Sequence, residues 1–158
     1  MEIRRLQPSD IDTLLRVRDG IFDNPVDPVQ ARAFLDSPLH HLFMAFEDGQ
    51  ALAFASGSVL LHPDKPPCLF INEVGTHEDH RRRGLAIAVT RALIDHARSL
   101  GCTGGVWLAT EPENDAARAL YRAMGGQEIS AICYGWDGAF DKPMSKAAVL
   151  KAATPFLA

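Results

Sequence analysis

The sequence has no apolar run near the roughly 20 residues needed to cross a bilayer, which argues against a helical membrane span. Cysteine is scarce. Cys68, Cys102 and Cys133 are odd in number and show no Cys-x-x-Cys spacing, so neither a disulfide framework nor a zinc site is implied. Charge of one sign is also lacking: 16 Lys and Arg oppose 20 Asp and Glu for a formal charge of −4. The densest basic run, residues 81–83, is too short for sequence-independent nucleic-acid binding. Neither Gly-x-Gly-x-x-Gly nor Gly-x-x-x-x-Gly-Lys-Ser/Thr occurs, which sets aside a Rossmann dinucleotide site and a P-loop. The opening Met1-Glu2-Ile3-Arg4-Arg5 lacks the apolar middle of a signal peptide, so a cytoplasmic location is expected.

What is present describes a folded domain. Hydrophobic residues make up 47% of 158, with 12 Gly and 10 Pro spread along the chain. A chain of this length buries nearly 70% of its extended surface in one core. One domain over residues 1–136 is expected, followed by a tail, 137–158, with a short-helix pattern at 145–153.

Residues 3–6 suggest a strand, and Ser9 and Asp12 have capping-box spacing for a helix through Ile11, Leu14 and Leu15 that Gly20 ends. A second short helix fits residues 29–35, with Pro28 in its first turn. Two apolar runs, 41–46 and 51–61, flank an Asp48-Gly49 hairpin signal, and a third, 68–74, reads as the central strand. Leu85, Val89, Leu93, Ala97 and Leu100 recur at helical spacing before Gly101. A buried strand at 106–109, a helix capped by Asn114 and a strand at 128–136 complete the order. The fold class is therefore α/β (α+β): a mixed, mostly antiparallel twisted sheet with helices on both faces.

The chemistry concentrates where a strand, Phe70-Ile71-Asn72-Glu73-Val74-Gly75-Thr76, leads through His80-Arg81-Arg82-Arg83-Gly84-Leu85-Ala86 into the long helix. The first turn of a helix presents unpaired N–H groups and about half a positive charge, a cradle for phosphate. Small residues at Gly84 and Ala86 let the backbone approach a ligand, and Arg81, Arg82 and Arg83 add positive charge. Three cations at the positive end of a helix dipole are unfavourable unless an anion joins them.

The string Arg81-x-x-Gly84-x-Ala86 resembles the acetyl-CoA pyrophosphate loop of the GNAT superfamily of N-acetyltransferases. Glu113-Asn114-Asp115-Ala116-Ala117-Arg118-Ala119-Leu120-Tyr121 is similar to that family's second motif. The two occur in the expected order. The wording around Glu73-Val74-Gly75-Thr76 looks most like the aminoglycoside 3-N-acetyltransferase branch, in which the position of Glu73 is an Asp. The resemblance implies a GNAT-like fold, acetyl-CoA as co-substrate and no metal. It places cofactor contacts at Val74, Gly75, Thr76, Arg81, Arg82, Arg83, Gly84, Leu85, Ala86 and, secondarily, the helix cap Asn114.

Amine acetylation dictates what else is required. An alkylammonium is neutral in only about 1 molecule in 2500 at pH 7, so a base must take its proton, and Glu73 is the candidate, directly or through water. An oxyanion then forms, for which the Val74 N–H is a donor if the strand splays from its neighbour. Tyr121 matches the family's usual general acid for the departing thiolate. By itself Tyr121 reads more often as a core aromatic, an order that the Leu-Tyr motif context reverses, and Glu73 reads equally as a water-facing edge residue or the partner of an Arg. His77-Glu78-Asp79-His80 lacks metal-site spacing and reads as a solvated loop.

Glu73, Glu111, Glu113, Asp115, Asp137 and Asp141 form an acidic set that suits a small cationic amine, aminoglycoside-like or polyamine-like. A protein Lys or N-terminal acceptor, or a non-catalytic acyl-CoA-binding module, is the alternative. The oligomeric expectation is a monomer or homodimer.

Overall fold

The first strand, β1 (Glu2–Arg5), pairs antiparallel with β2 (His40–Glu47), and between them lie α1 (Ile11–Leu15) and α2 (Pro28–Asp36). These come from a computed structural model that describes residues 1–132 and 134. Before α1 the capping contact differs from the expected Ser9–Asp12 pair. Asp10 Oδ2 accepts the Gln7 N–H at 2.7 Å at the start of a 3-10 turn, while Asp10 Oδ1 takes Arg4 at 2.9 Å. The helix ends well before Gly20 because the chain leaves it at Arg16 to carry Ile21 and Phe22 into the core. Pro28 sits in the first turn of α2 as expected, and Asp27 caps that helix by accepting the Gln30 N–H at 2.8 Å.

Asp48 and Gly49, at φ +50 and +76, close the hairpin from β2 to β3 (Gln50–Leu60), and β3 pairs antiparallel with β4 (Cys68–Thr76). The helix α3 (Leu85–Ser99) follows, and then β5 (Val106–Trp107), which runs parallel to β4. Among the described residues the strand order is β1-β2-β3-β4-β5, so β3 is the middle strand and β4 is its neighbour, not the centre expected. β5 is shorter than the expected 106–109 and is not buried: Trp107 is 52% exposed.

Two cores hold this sheet. On one face Leu14, Ile21, Ala31 and Leu35 pack with Leu42, Met44, Phe46 and Phe54. On the other, α3 buries Leu85, Val89, Leu93 and Ala97 at the expected helical spacing. Its closeness is set by Gly57, where an added Cβ would meet Leu69 at 2.9 Å and Leu93 at 3.2 Å. The expected sheet with helices on both faces is thus present within Met1–Trp107, one of two compact units; the other is Leu108–Ala158.

In the second unit Asn114 accepts the Ala117 N–H at 3.0 Å and caps α4 (Asp115–Ala123), as expected. Residues 128–132 and Tyr134 form no strand. The Glu128 carboxylate is bound by Arg118 at 2.7 Å and Arg122 at 2.6 Å, and Ile129 and Ile132 are more than 80% exposed, so no apolar face is covered there. Cys133, Gly135, Trp136 and the tail 137–158 lie outside the described residues. Cys68 and Cys102 are free and buried, and no helix among the described residues is long and apolar enough to cross a membrane.

Candidate active site

The register of β4 against β3 changes at one residue. Ser56 faces Glu73, yet Gly57 faces Ile71, so Asn72 is an extra residue, a β-bulge. Cross-strand partners share a face, and Gly57 and Phe54 lie on opposite faces of β3. Ile71 therefore points toward α3, whereas Glu73, only two residues on, points to the face of Phe54, α1 and α2. Without the bulge, strand alternation would send Glu73 into α3. Asn72 anchors the irregularity by donating from Nδ2 to Ser58 Oγ at 2.9 Å.

The opposite edge of β4 opens at the same place. β4 pairs with β5 only through Leu69 and Phe70, and from Ile71 to Thr76 no strand among the described residues joins that edge. The His77 N–H donates to the Leu52 carbonyl at 2.9 Å, which fixes the alternation. Gly75 and His77 face β3, while the amides of Val74 and Thr76 point outward to the open edge. The Thr76 carbonyl, on that same edge, accepts from Arg81 Nε at 3.4 Å. Among the described residues, pairing of β4 with β5 ends at Phe70, before Val74.

Glu73 is half-buried, and desolvation, followed by the charge of Asp23, raises its carboxyl to about 7. A carboxylate with that value divides evenly between acid and base near neutrality, the condition in which general-base catalysis is efficient.

Beyond β4 the chain makes a 3-10 turn over Glu78–His80 and reaches α3. His77 is 7% exposed and so departs from the solvated-loop expectation, which the exposed Glu78 and Asp79 follow; its Nδ1 accepts the Asp79 N–H at 3.3 Å and its ring lies beneath Gly20. No group of three metal-ligating side chains occurs among the described residues.

Gly84 is the N-cap of α3 at φ +76, a conformation costly for any residue with a Cβ. The first intrahelical bond runs from the Ala88 N–H to the Gly84 carbonyl at 3.1 Å, so the N–H groups of Leu85, Ala86 and Ile87 have no helical partner. No acidic residue occupies the first turn, and nothing lies within 4 Å of the position a Gly84 Cβ would take. The helix end is open and electropositive, which fits a pyrophosphate group.

The three arginines divide their roles. Arg83 makes a two-pronged ion pair with Glu47 at 2.9 and 3.1 Å, tying the loop to the β2–β3 hairpin, and Arg81 reaches back to Thr76. Arg82 is held at φ +61 between them.

Gly84→Val is expected to weaken acetyl-CoA binding at least tenfold, because the side chain adds left-handed strain of about 1–2 kcal/mol and stands in the approach to the helix N–H groups. Gly101, at φ +84 beyond the C-terminal end of α3, supplies the control. Gly101→Val should lower Tm comparably and leave the calorimetric Kd for acetyl-CoA unchanged.

In the second unit Tyr121 lies on α4 and is half-buried, and burial pushes its phenol up to about 12. The hydroxyl therefore keeps its proton throughout the neutral range. Arg118, inside the second motif, is bound to Glu128 and to the Pro112 carbonyl at 2.7 Å and serves the local fold. Asp115 pairs with Arg118 at 3.7 Å, and Asp137 and Asp141 of the expected acidic set lie outside the described residues. A groove of about 560 Å³ lined by Thr13, Arg16, Phe46 and Gln50 includes neither Glu73 nor the 81–86 loop. Sequence reasoning missed Glu47 and Asp23, because neither belongs to a motif and each acts through a long-range approach.

A bulged strand, an open edge and a bare helix end on one β4–α3 unit coincide with a profile match: residues 11–125 match the acetyltransferase (GNAT) family. The chain belongs to that family. It is 32% identical over 108 residues to N-alpha-acetyltransferase RimI of Mycobacterium tuberculosis (strain ATCC 25618 / H37Rv), covering 68% of this chain and 65% of that protein. The chain thus spans slightly less than two thirds of that relative. It is 32% identical over 75 residues to L-2,4-diaminobutyric acid acetyltransferase of Streptomyces anulatus, covering 48% of this chain and 42% of that protein. Among solved structures, AAC(6')-Iy in complex with the bisubstrate analogue CoA-S-monomethyl-acetylneamine superposes with a TM-score of 0.72 at 21% identity, covering 85% of this chain and 95% of that one. That likeness extends to the fold of this GNAT chain.

Proposed function

We propose that this GNAT chain is an acetyl-CoA-dependent N-acetyltransferase acting on a primary amine of a small cationic molecule. The observation that carries the reading is the open edge of β4, which presents the Val74 and Thr76 amides beside Glu73 and runs into the unpaired N–H groups of α3. Acetyl-CoA, when bound, supplies an acetyl thioester whose carbonyl carbon is the electrophile. The amides of Leu85, Ala86 and Ile87 hold the pyrophosphate, with Arg82 adding charge. Those of Val74 and Thr76 pair with pantetheine and with the carbonyl oxygen on which charge develops. Glu73 takes one proton from the substrate ammonium, and the freed amine attacks the thioester carbon to form the C–N bond. As the C–S bond breaks the nitrogen gives up its second proton to solvent, and Tyr121, on its match to the family's second motif, is the candidate to protonate the departing sulfur.

The relatives support amine acceptors of different kinds. The names of the diaminobutyrate and aminoglycoside enzymes favour small polyamino compounds, the 6'-N class as much as the 3-N branch that the wording around Glu73 resembles. RimI favours a second reading, transfer to a protein α-amine, because its match is the longer of the two curated ones. Free-thiol release from acetyl-CoA, measured with kanamycin, 1,4-diaminobutane, L-2,4-diaminobutyrate and peptides beginning with Ala, tests both. Release with the small polyamines is the expected outcome. Release with peptides alone moves the chain to the second reading, and release with none removes the catalytic assignment.

A further inference from the structure

The segment between α1 and α2 crosses the face of β4 on which the bulge places Glu73. Its fit depends on a missing side chain. An added Cβ at Gly75 would collide with the Phe54 ring and stand 2.9 Å from the Ile21 carbonyl, so only glycine lets the segment lie on the strand. Ile21 is 4% exposed, Phe22 packs on Phe54 with ring centroids 4.3 Å apart, and Gly20 rests against His77. Three successive residues are thus pinned to β3, β4 and the turn after them. Asp23 comes next, on the surface two residues beyond Ile21, as Glu73 lies two residues before Gly75 on the strand beneath.

We propose that Asp23 is a specificity-determining residue of the acceptor site, holding a second cationic group of an amine whose reacting nitrogen faces Glu73, so that small diamines and other polyamino compounds are preferred. This rests on the acetyltransferase reading above.

Two carboxyl groups of different exposure suit two different tasks. Glu73, half-buried, exchanges a proton; Asp23, exposed, offers a fixed negative charge at the rim. Asp23 lies within electrostatic reach of Glu73, since its charge adds to burial in raising that carboxyl. Among the described residues no ion pair neutralises either one, and Arg18, which precedes Asp23 in the chain, is bound to Asp79 at 3.3 Å. Like charges brought together at a strand bulge without a cation leave a field that an incoming cation satisfies. A monoamine satisfies it once, at the reacting nitrogen, whereas a diamine also places its second ammonium at Asp23.

The test compares wild type, Asp23→Asn and Asp23→Glu in thiol release with 1,4-diaminobutane and kanamycin, against butylamine as the monocationic control. Asp23→Asn should raise KM for the polyamines about three- to fivefold, the upper worth of one exposed ion pair, and change KM for butylamine less than twofold. Its acid limb in kcat/KM should move to lower pH, because one charge that raises Glu73 is gone, and Asp23→Glu should restore part of both effects. Equal losses on monoamine and polyamines, or an acid limb that stays in place, would show that Asp23 only shapes the loop and would overturn the proposal. Wild-type turnover of monoamines or peptides without polyamines would overturn it and leave the acetyltransferase reading standing. Absence of thiol release with every amine would overturn that reading itself.

Discussion

Replacing Tyr121 with Phe is expected to reduce kcat by about 10²-fold or more while acetyl-CoA affinity and Tm remain near wild type. Only a hydroxyl is lost from a helix whose capping by Asn114 and whose Arg118–Glu128 contacts are untouched. Burial raises the phenol to about 12, well above the roughly 8.5 of a thiol, so complete proton transfer to the sulfur runs uphill. On the proposed reading of Tyr121 as the acid, the expected loss comes from a hydrogen bond that strengthens as charge gathers on sulfur and yields its proton only late in bond breaking. Stopped-flow measurement of thiol release, with calorimetry for acetyl-CoA, separates the two quantities. Wild-type kcat in the Phe variant would show that the thiolate leaves without help from this residue.

Glu73→Gln should have a comparable effect, on the order of 10²–10³-fold in kcat/KM, and should change the shape of the pH profile. The base must be ionised, so wild-type kcat/KM rises with pH and levels off above about 7, where the Glu73 carboxyl titrates in the free protein. Gln has no such limb. The same shift has a consequence for stability. A carboxyl raised above its ordinary value of about 4.3 binds protons more tightly in the folded state, so its contribution is greatest at low pH. It declines as pH climbs from that value through about 7. Burial penalises the charged form, and Glu73→Gln should therefore be at least as stable as wild type at pH 8. A large loss of Tm there would mean that Glu73 is a structural partner rather than a base.

The parts of this site legible in the sequence are those that local chemistry dictates. Helical spacing places α3, a small residue at Gly84 marks its start, Asn114 caps α4, and Asp48-Gly49 closes the hairpin. The bulge at Asn72 was not legible, because an extra residue in a strand leaves no compositional trace, yet it decides which face Glu73 reaches. Asp23 and Glu47 were hidden for the same kind of reason: each is an ordinary surface carboxylate until the fold brings it to Glu73 or Arg83. Of the expected strand at 128–136, the described residues 128–132 and 134 form none, since their apolar side chains at 129, 132 and 134 are exposed. Glu128 instead turns back to two arginines of α4, which hold its carboxyl down at about 2.

The central claim, that acetyl-CoA lies along the open edge of β4 with its pyrophosphate on the N-terminus of α3, is tested most directly by amide NMR on the ¹⁵N-labelled chain. Saturating acetyl-CoA should shift the N–H resonances of Val74, Thr76, Leu85, Ala86 and Ile87 and slow their exchange with solvent, since these are the groups that gain acceptors. The Gly75 amide, already directed at β3, should keep its exchange rate within a few-fold. Binding that leaves all five amides unmoved, or that shifts only resonances around the Thr13–Gln50 groove, would contradict the account.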